Sequence, residues 1–182
     1  MRLLLCVFVL FISGIASGEE ITGFKSYELG RTTLSDVQAS SGFAEKATGY
    51  YCYSTPTELS DQTCSGKDTI AGAPASLYLY FFNEKLEAIS LKTGERRFFE
   101  VVAALTEKYG KPTEESSEVI QNRAGASFDN KKVLWKKGQA VIEARQRAGS
   151  VDTCSINFFL NGWYEKVDSR VKEFAKKKSK DL

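Results

Sequence analysis

Histidine is absent from the chain. That removes the commonest general base, the commonest nitrogen ligand for metals and the usual charge switch near neutral pH. Proline is scarce, at 3, and glycine, at 14 of 182 residues, is ordinary, which excludes collagen-like and low-complexity architectures. Net charge is almost absent as well. The 25 basic and 23 acidic side chains leave +2, so no global basic field points to nucleic acid. Beyond one short N-terminal run, no apolar stretch approaches the ~20 residues that a membrane helix needs. With 42% hydrophobic and 26% charged residues, the rest fits one globular domain.

That short run reads as an export signal over residues 1–18. Met1-Arg2 supplies a positive start, Leu3 to Ile12 is continuously apolar, and Ala16-Ser17-Gly18 offers the small side chains a signal peptidase reads. Cleavage before Glu19 leaves residues 19–182 as a single domain. Removing Arg2 then leaves 24 basic against 23 acidic side chains. The product is expected in the periplasm or outside the cell. No Asn-X-Ser/Thr sequon occurs, which agrees with a bacterial envelope protein. A retained N-terminal anchor is the competing reading of the same run.

Of the 4 cysteines, Cys6 leaves with the signal. In an oxidising compartment the remaining three predict one bridge and one spare thiol. Cys52 and Cys64 flank a polar, turn-rich segment and are the expected pair, stapling a long loop. Cys154 opens an apolar strand and reads as a buried thiol. Neither zinc nor any cofactor is expected, since there is no C-x-x-C pair and no histidine.

Periodicity predicts helix, strands, helix, strands, helix. Thr33 and Asp36 form a capping box before Leu34 and Val37, with Gly42 as the expected stop. Phe43 to Ser54 carries Tyr50, Tyr51 and Tyr53 and favours strand. Ser76 to Phe82 alternates Leu77, Leu79 and Phe81 with Tyr78, Tyr80 and Phe82, and Leu86 to Lys92 returns after a short turn as a hairpin. Phe98, Val101, Val102, Leu105 and Tyr109 mark the best helix, stopped by Gly110 and Pro112. Residues 113–130 are polar, with a strand expected only around Val119-Ile120. Further strands are expected at Lys132–Lys136, Ala140–Gln146 and Cys154–Asn161. A terminal helix over Trp163–Lys180 should pack through Trp163, Val167, Val171 and Phe174. Its lysine-rich end suits the helix dipole, or alternatively a weak contact with an anionic surface. The expected class is α+β: an antiparallel sheet with helices packed on one face, arranged as two α-β half-repeats, plus a C-terminal helix.

Three segments resemble a known pattern. Tyr27-Glu28-Leu29-Gly30-Arg31-Thr32-Thr33-Leu34-Ser35-Asp36-Val37 starts it, the Phe-rich strand Leu77 to Leu86 continues it, and Lys108-Tyr109-Gly110-Lys111-Pro112 follows. Together they resemble SmpA/OmlA-type bacterial envelope lipoproteins and the related fold of β-lactamase-inhibitor proteins. The resemblance implies helix pairs against antiparallel strands and a non-enzymatic role in binding other proteins. No cysteine stands where the lipoproteins carry their lipid, so no membrane anchor carries over, and neither does any functional residue.

Catalytic motifs are missing. There is no G-x-S-x-G elbow, no phosphate-cradling glycine loop and no EF-hand spacing. The aromatic content points instead to recognition. Tyrosine suits a half-wet surface, and Tyr and Trp dominate binding hot spots. A patch of Tyr78 and Tyr80, joined by Tyr51, Tyr53 and Trp135, is therefore the expected binding surface. Burial of these rings in the core is the alternative. The expected function is an exported, non-catalytic domain that binds a protein or an envelope component, with a hydrolase using Asp/Glu or Ser–Lys chemistry as the competing class.

Overall fold

The computed structural model describes residues 18–40 and 51–179. The signal segment, the expected Gly42 stop and most of the Phe43–Ser54 strand therefore lie outside the described residues. Among those described, ten strands and three α-helices form an α+β fold. A small hairpin of β1 (Gly23–Phe24) and β2 (Tyr27–Glu28) comes first, followed by α1 (Leu34–Ala39). Four strands follow: β3 (Tyr51–Tyr53), β4 (Gln62–Ile70), β5 (Ala73–Phe82) and β6 (Lys85–Gly94). A 3-10 turn, Glu95–Arg97, leads into α2 (Phe98–Tyr109). Four more strands are β7 (Glu114–Gln121), β8 (Ser127–Lys137), β9 (Ala140–Arg145) and β10 (Thr153–Leu160), and α3 (Trp163–Lys178) is the last element among the described residues.

The eight strands β3 to β10 form one antiparallel sheet in the order β3-β4-β5-β6-β10-β9-β8-β7. Each half is a helix followed by a four-stranded meander, and the halves meet where β6 pairs with β10. This is the doubled α-β plan anticipated from sequence. Local chemistry explains the turns. Asn83 and Glu84 take positive φ values of 48° and 63° to close the β5–β6 hairpin, a conformation asparagine tolerates better than most residues. The Thr33 capping box forms, with the Thr33 amide donating to Asp36 Oδ2 at 2.8 Å. Gly110, at φ 80°, ends α2 and donates its amide to the Thr106 carbonyl.

Strand alternation sorts the sheet into two faces. On the first, Leu77, Leu79, Phe81, Ile89, Leu91, Ile142, Ile156 and Phe158 make the main core under Val37 of α1 and Phe98, Val101, Leu105 and Tyr109 of α2. On the second, Phe82, Ala88, Leu134, Val141 and Phe159 pack against Trp163 of α3, with Tyr80 and Val167 beside them. Thus α1 and α2 share one face, and the C-terminal helix takes the other. The register shift between Tyr80 and Phe81 skips Glu87 of β6, so Leu86 and Ala88, two residues apart, face opposite sides, Leu86 in the main core opposite Phe81 and Ala88 on the second face opposite Tyr80.

Two expectations need correction. The seam of α3 runs through Trp163, Val167, Arg170 and Phe174, which are buried or half-buried, whereas Val171 faces solvent. A period of 3.6 places position 170, not 171, under the helix two turns on. The polar, turn-rich loop expected between Cys52 and Cys64 stops at Gln62, where a nine-residue strand, Gln62–Ile70, begins over a stretch for which the sequence predicts no element. Its polar members are tolerated because Thr63, Ser65, Lys67 and Thr69 face the half-open side, while Cys64 and Ile70 are its side chains packed in the main core.

Candidate binding face

The second sheet face has a simple geometry, read from the strand pairing as three lateral rows. The first row runs Tyr53, Thr63, Tyr80, Ala88, Phe159 and Val141. Helix α3 covers the Tyr80 to Phe159 part of this row, through Trp163 against both rings, and leaves Tyr53 exposed at the rim. The second row runs Tyr51, Ser65, Tyr78, Ser90, Asn157 and Glu143. The third runs Lys67, Ser76, Lys92, Ser155, Arg145 and Lys132. The serines of the second and third rows are small, so their neighbours Tyr78, Lys92, Asn157 and Arg145 stand above them.

Four of the five expected aromatics meet on this face. Tyr51 and Tyr53, 48% and 45% exposed, lie edge to face with ring centroids 4.5 Å apart at the rim of the sheet. Tyr78 is half-buried, and the Lys92 ammonium sits 5.4 Å from its ring. Tyr80 is half-buried beneath Trp163, and burial pushes its phenol up to about 12, so it stays neutral at any physiological pH. Trp135 does not join them. It is 1% exposed on the opposite face, paired across strands with Ile142, and its indole N–H donates to the Gly110 carbonyl at 2.9 Å. Alternation decides this. Trp135 shares parity with Val133, and both face the main core.

At the far end of the second row, Glu143 is buried beside three partners. It pairs with Arg145 at 2.9 Å and Lys132 at 3.0 Å, and it accepts a hydrogen bond from the Tyr164 hydroxyl of α3 at 3.2 Å. Burial alone would raise the carboxyl, but the hydrogen bonds from Arg145 and Lys132 outweigh it and hold Glu143 below the ordinary carboxylate range. Tyr164 is pushed up to about 12 by burial and by the Glu143 charge. A lone buried carboxylate neutralised by two cations is a structural ion cluster, not an acid–base pair. Pattern reasoning missed Glu143, because a single Glu inside a Val-Ile-Glu-Ala run carries no signal of its partners.

The Cys52–Cys64 bridge forms as expected, between directly opposed residues of β3 and β4. The loop between them is then clamped by α3. Arg170 donates to the Thr57 and Ser60 carbonyls and pairs with Asp61. Cys154 is a buried free thiol, pushed up to about 12 by burial, so it is inert. Ser169 and Lys172 hold an S-x-x-K spacing on α3. However, the Ser169 hydroxyl donates back to the Glu165 carbonyl and Lys172 pairs with Asp168, so the two are not joined. Near the end of α3, Lys177 pairs with Glu173 and Lys178 approaches Glu58. Among the described residues no group of three His, Cys, Asp or Glu is placed to hold a metal ion, and no helix is long and apolar enough to cross a membrane.

Residues 53–156, from the rim of β3 into β10, match the model of a family described as "Uncharacterised protein". The chain belongs to that family. The match includes Lys67, Tyr78, Lys92, Glu143 and Arg145, and leaves out Tyr51, Cys52 and α3. No curated protein and no solved structure matches the chain.

Proposed function

We propose that this chain is an exported, non-catalytic binding domain whose partner, a protein or another envelope component, occupies the half of the second sheet face that α3 leaves open. The observation that carries this reading is the convergence of Tyr51, Tyr53 and Tyr78 on one face, beside a row of polar and cationic side chains. Large rings with a polar tip supply contact area at little entropic cost, and they tolerate water when the partner is absent. The doubled helix-and-meander plan is also compatible with the resemblance to the β-lactamase-inhibitor type of fold, which implies binding of other proteins.

The test compares retention of the protein on a native envelope fraction. Tyr51→Ala/Tyr53→Ala should reduce retention strongly, while Phe99→Ala, which removes a ring 57% exposed on α2, should leave it unchanged. Equal retention of both variants, or turnover of an ester, peptide or glycoside by the wild type, would overturn the reading.

A further inference from the structure

Residues 18–21 form a strap across one corner of the main core. The Glu19 amide donates to the Lys108 carbonyl, in the last turn of α2, at 3.0 Å. The Lys137 ammonium, at the end of β8, donates to the Gly18 carbonyl at 2.6 Å and to the Glu19 carbonyl at 3.1 Å. Lys108 pairs with the Glu19 carboxylate at 3.4 Å, and Ile21 is buried in the core. Gly18 itself is half-buried against the end of α2. A Cβ on it would stand 2.2 Å from the Tyr109 carbonyl carbon and 2.5 Å from the Gly110 nitrogen. Both are backbone atoms that cannot swing aside, so only glycine fits there. Gly18 is thus a built part of the domain. It fills the gap at the helix end and supplies an acceptor to Lys137.

Cleavage before Glu19 would undo this corner. It removes Gly18 and turns the Glu19 amide into an α-ammonium. The oxygen and nitrogen of one peptide unit are about 2.2 Å apart, so the Lys137 ammonium, 2.6 Å from the Gly18 oxygen, lies within about 5 Å of the new charge. Two cations would then face each other where a carbonyl now accepts. The leader offers a second place to cut. Gly14-Ile15-Ala16 also carries small residues at the two positions a signal peptidase reads, and it follows the apolar run after Ser13 alone. We infer that the leader is removed between Ala16 and Ser17, and that Ser17-Gly18 stays with the mature chain as part of the strap. A water molecule is consumed at that bond: its oxygen goes to the Ala16 carbonyl carbon, which leaves as the leader's carboxylate, and Ser17 keeps its nitrogen as the new α-ammonium. The charge is then made two residues before Glu19, and the bonds of Lys137 to Gly18 and of Glu19 to Lys108 survive processing. This rests on the reading of the chain as exported, and moves the boundary of its mature form.

The experiment produces the full chain, with its own leader, in a bacterial host and reads the N-terminus of the recovered protein by intact mass and N-terminal sequencing. The expected first residue is Ser17. A first residue of Glu19 would overturn the inference and leave export standing, whereas a chain that keeps Met1 would overturn export and the inference together. Gly18→Leu separates the two cuts, because it puts a large side chain directly before Glu19 and leaves Gly14 and Ala16 as they are. The variant should still be processed at Ser17, and its mature form should unfold at a lower denaturant concentration than wild type. Accumulation of the uncut Gly18→Leu precursor would overturn the inference. A chain begun at Ser17 by design should also resist denaturant better than one begun at Glu19, and Lys137→Gln should remove most of that difference. Equal unfolding midpoints for the two starts would mean that Gly18 is not part of the domain, and would overturn the inference as well.

Discussion

Trp135 and Trp163 occupy opposite faces of the sheet, and their indole nitrogens differ in a way that sets their tolerance of change. Both rings are buried, but Trp135 donates to the Gly110 carbonyl, whereas Trp163 Nε1 is buried with no hydrogen-bond partner. Replacing each by Phe removes comparable ring area. At 135 the change also strands the Gly110 carbonyl, a loss of about 1 kcal/mol, while at 163 it removes an unsatisfied donor. Denaturant unfolding should therefore show Trp135→Phe to be the more destabilising by about 1 kcal/mol or more; equal costs would contradict the assignment. Glu143 makes a second residue-level prediction. Its carboxyl is held below its ordinary value near 4.5 in the folded state, so it favours folding while ionised. That contribution is fully present above about pH 4.5 and is lost as pH falls through the lower folded value. Glu143→Gln should lose about 2 kcal/mol at neutral pH, where it leaves two cations without their shared anion, and should show a flatter acid limb below pH 4.5. A parallel acid limb in wild type and variant would count against the ion cluster.

At the scale of elements, the disulfide and α3 act together. The bridge closes the loop between β3 and β4, and Arg170 anchors the middle of α3 on that loop through Thr57, Ser60 and Asp61. Burial works against the Asp61 carboxylate, but the Asn83 amide and Arg170 hold it below the usual range. Cys52→Ser/Cys64→Ser should cost about 2–3 kcal/mol by releasing the loop in the unfolded chain. Hydrogen exchange should then quicken selectively in the C-terminal half of α3, and uniform quickening along the helix would mean that the loop does not anchor it. The same elements mark how far sequence carries. Helix α2 and the β5–β6 hairpin follow strong periodicity and explicit stops, so their predicted bounds agree with the fold within a few residues. Strand β7 spans Glu114–Gln121, well beyond the Val119-Ile120 core expected for it, because an exposed edge strand needs no apolar alternation. β4 was hidden for a related reason: half of its residues face the polar rows of the open side.

At the scale of the whole molecule, the proposed binding surface depends on which face of one sheet is covered. The α+β class and its two halves follow from element order and short turns, and both are present. The grouping of Tyr51, Tyr53, Tyr78 and Tyr80 follows from parity within strands, but only the pairing register shows that β3 and β5 put their rings on the same side. The Lys67–Lys132 row is invisible in sequence. Its members are separated by up to dozens of residues and become neighbours only through long-range pairing. The opposite placement of α2 and α3 is likewise a tertiary result. Each helix has an apolar stripe, and nothing local says which face of the sheet will receive it.

The most direct test of the open face is site-specific photocrosslinking in the intact envelope. A photoreactive phenylalanine analogue at position 78 or 53 should capture one common partner. The same group at position 99 on α2, or at position 119 on β7, should capture none. Capture from 99 or 119 with silence at 53 and 78 would place recognition elsewhere on the molecule and contradict the central claim.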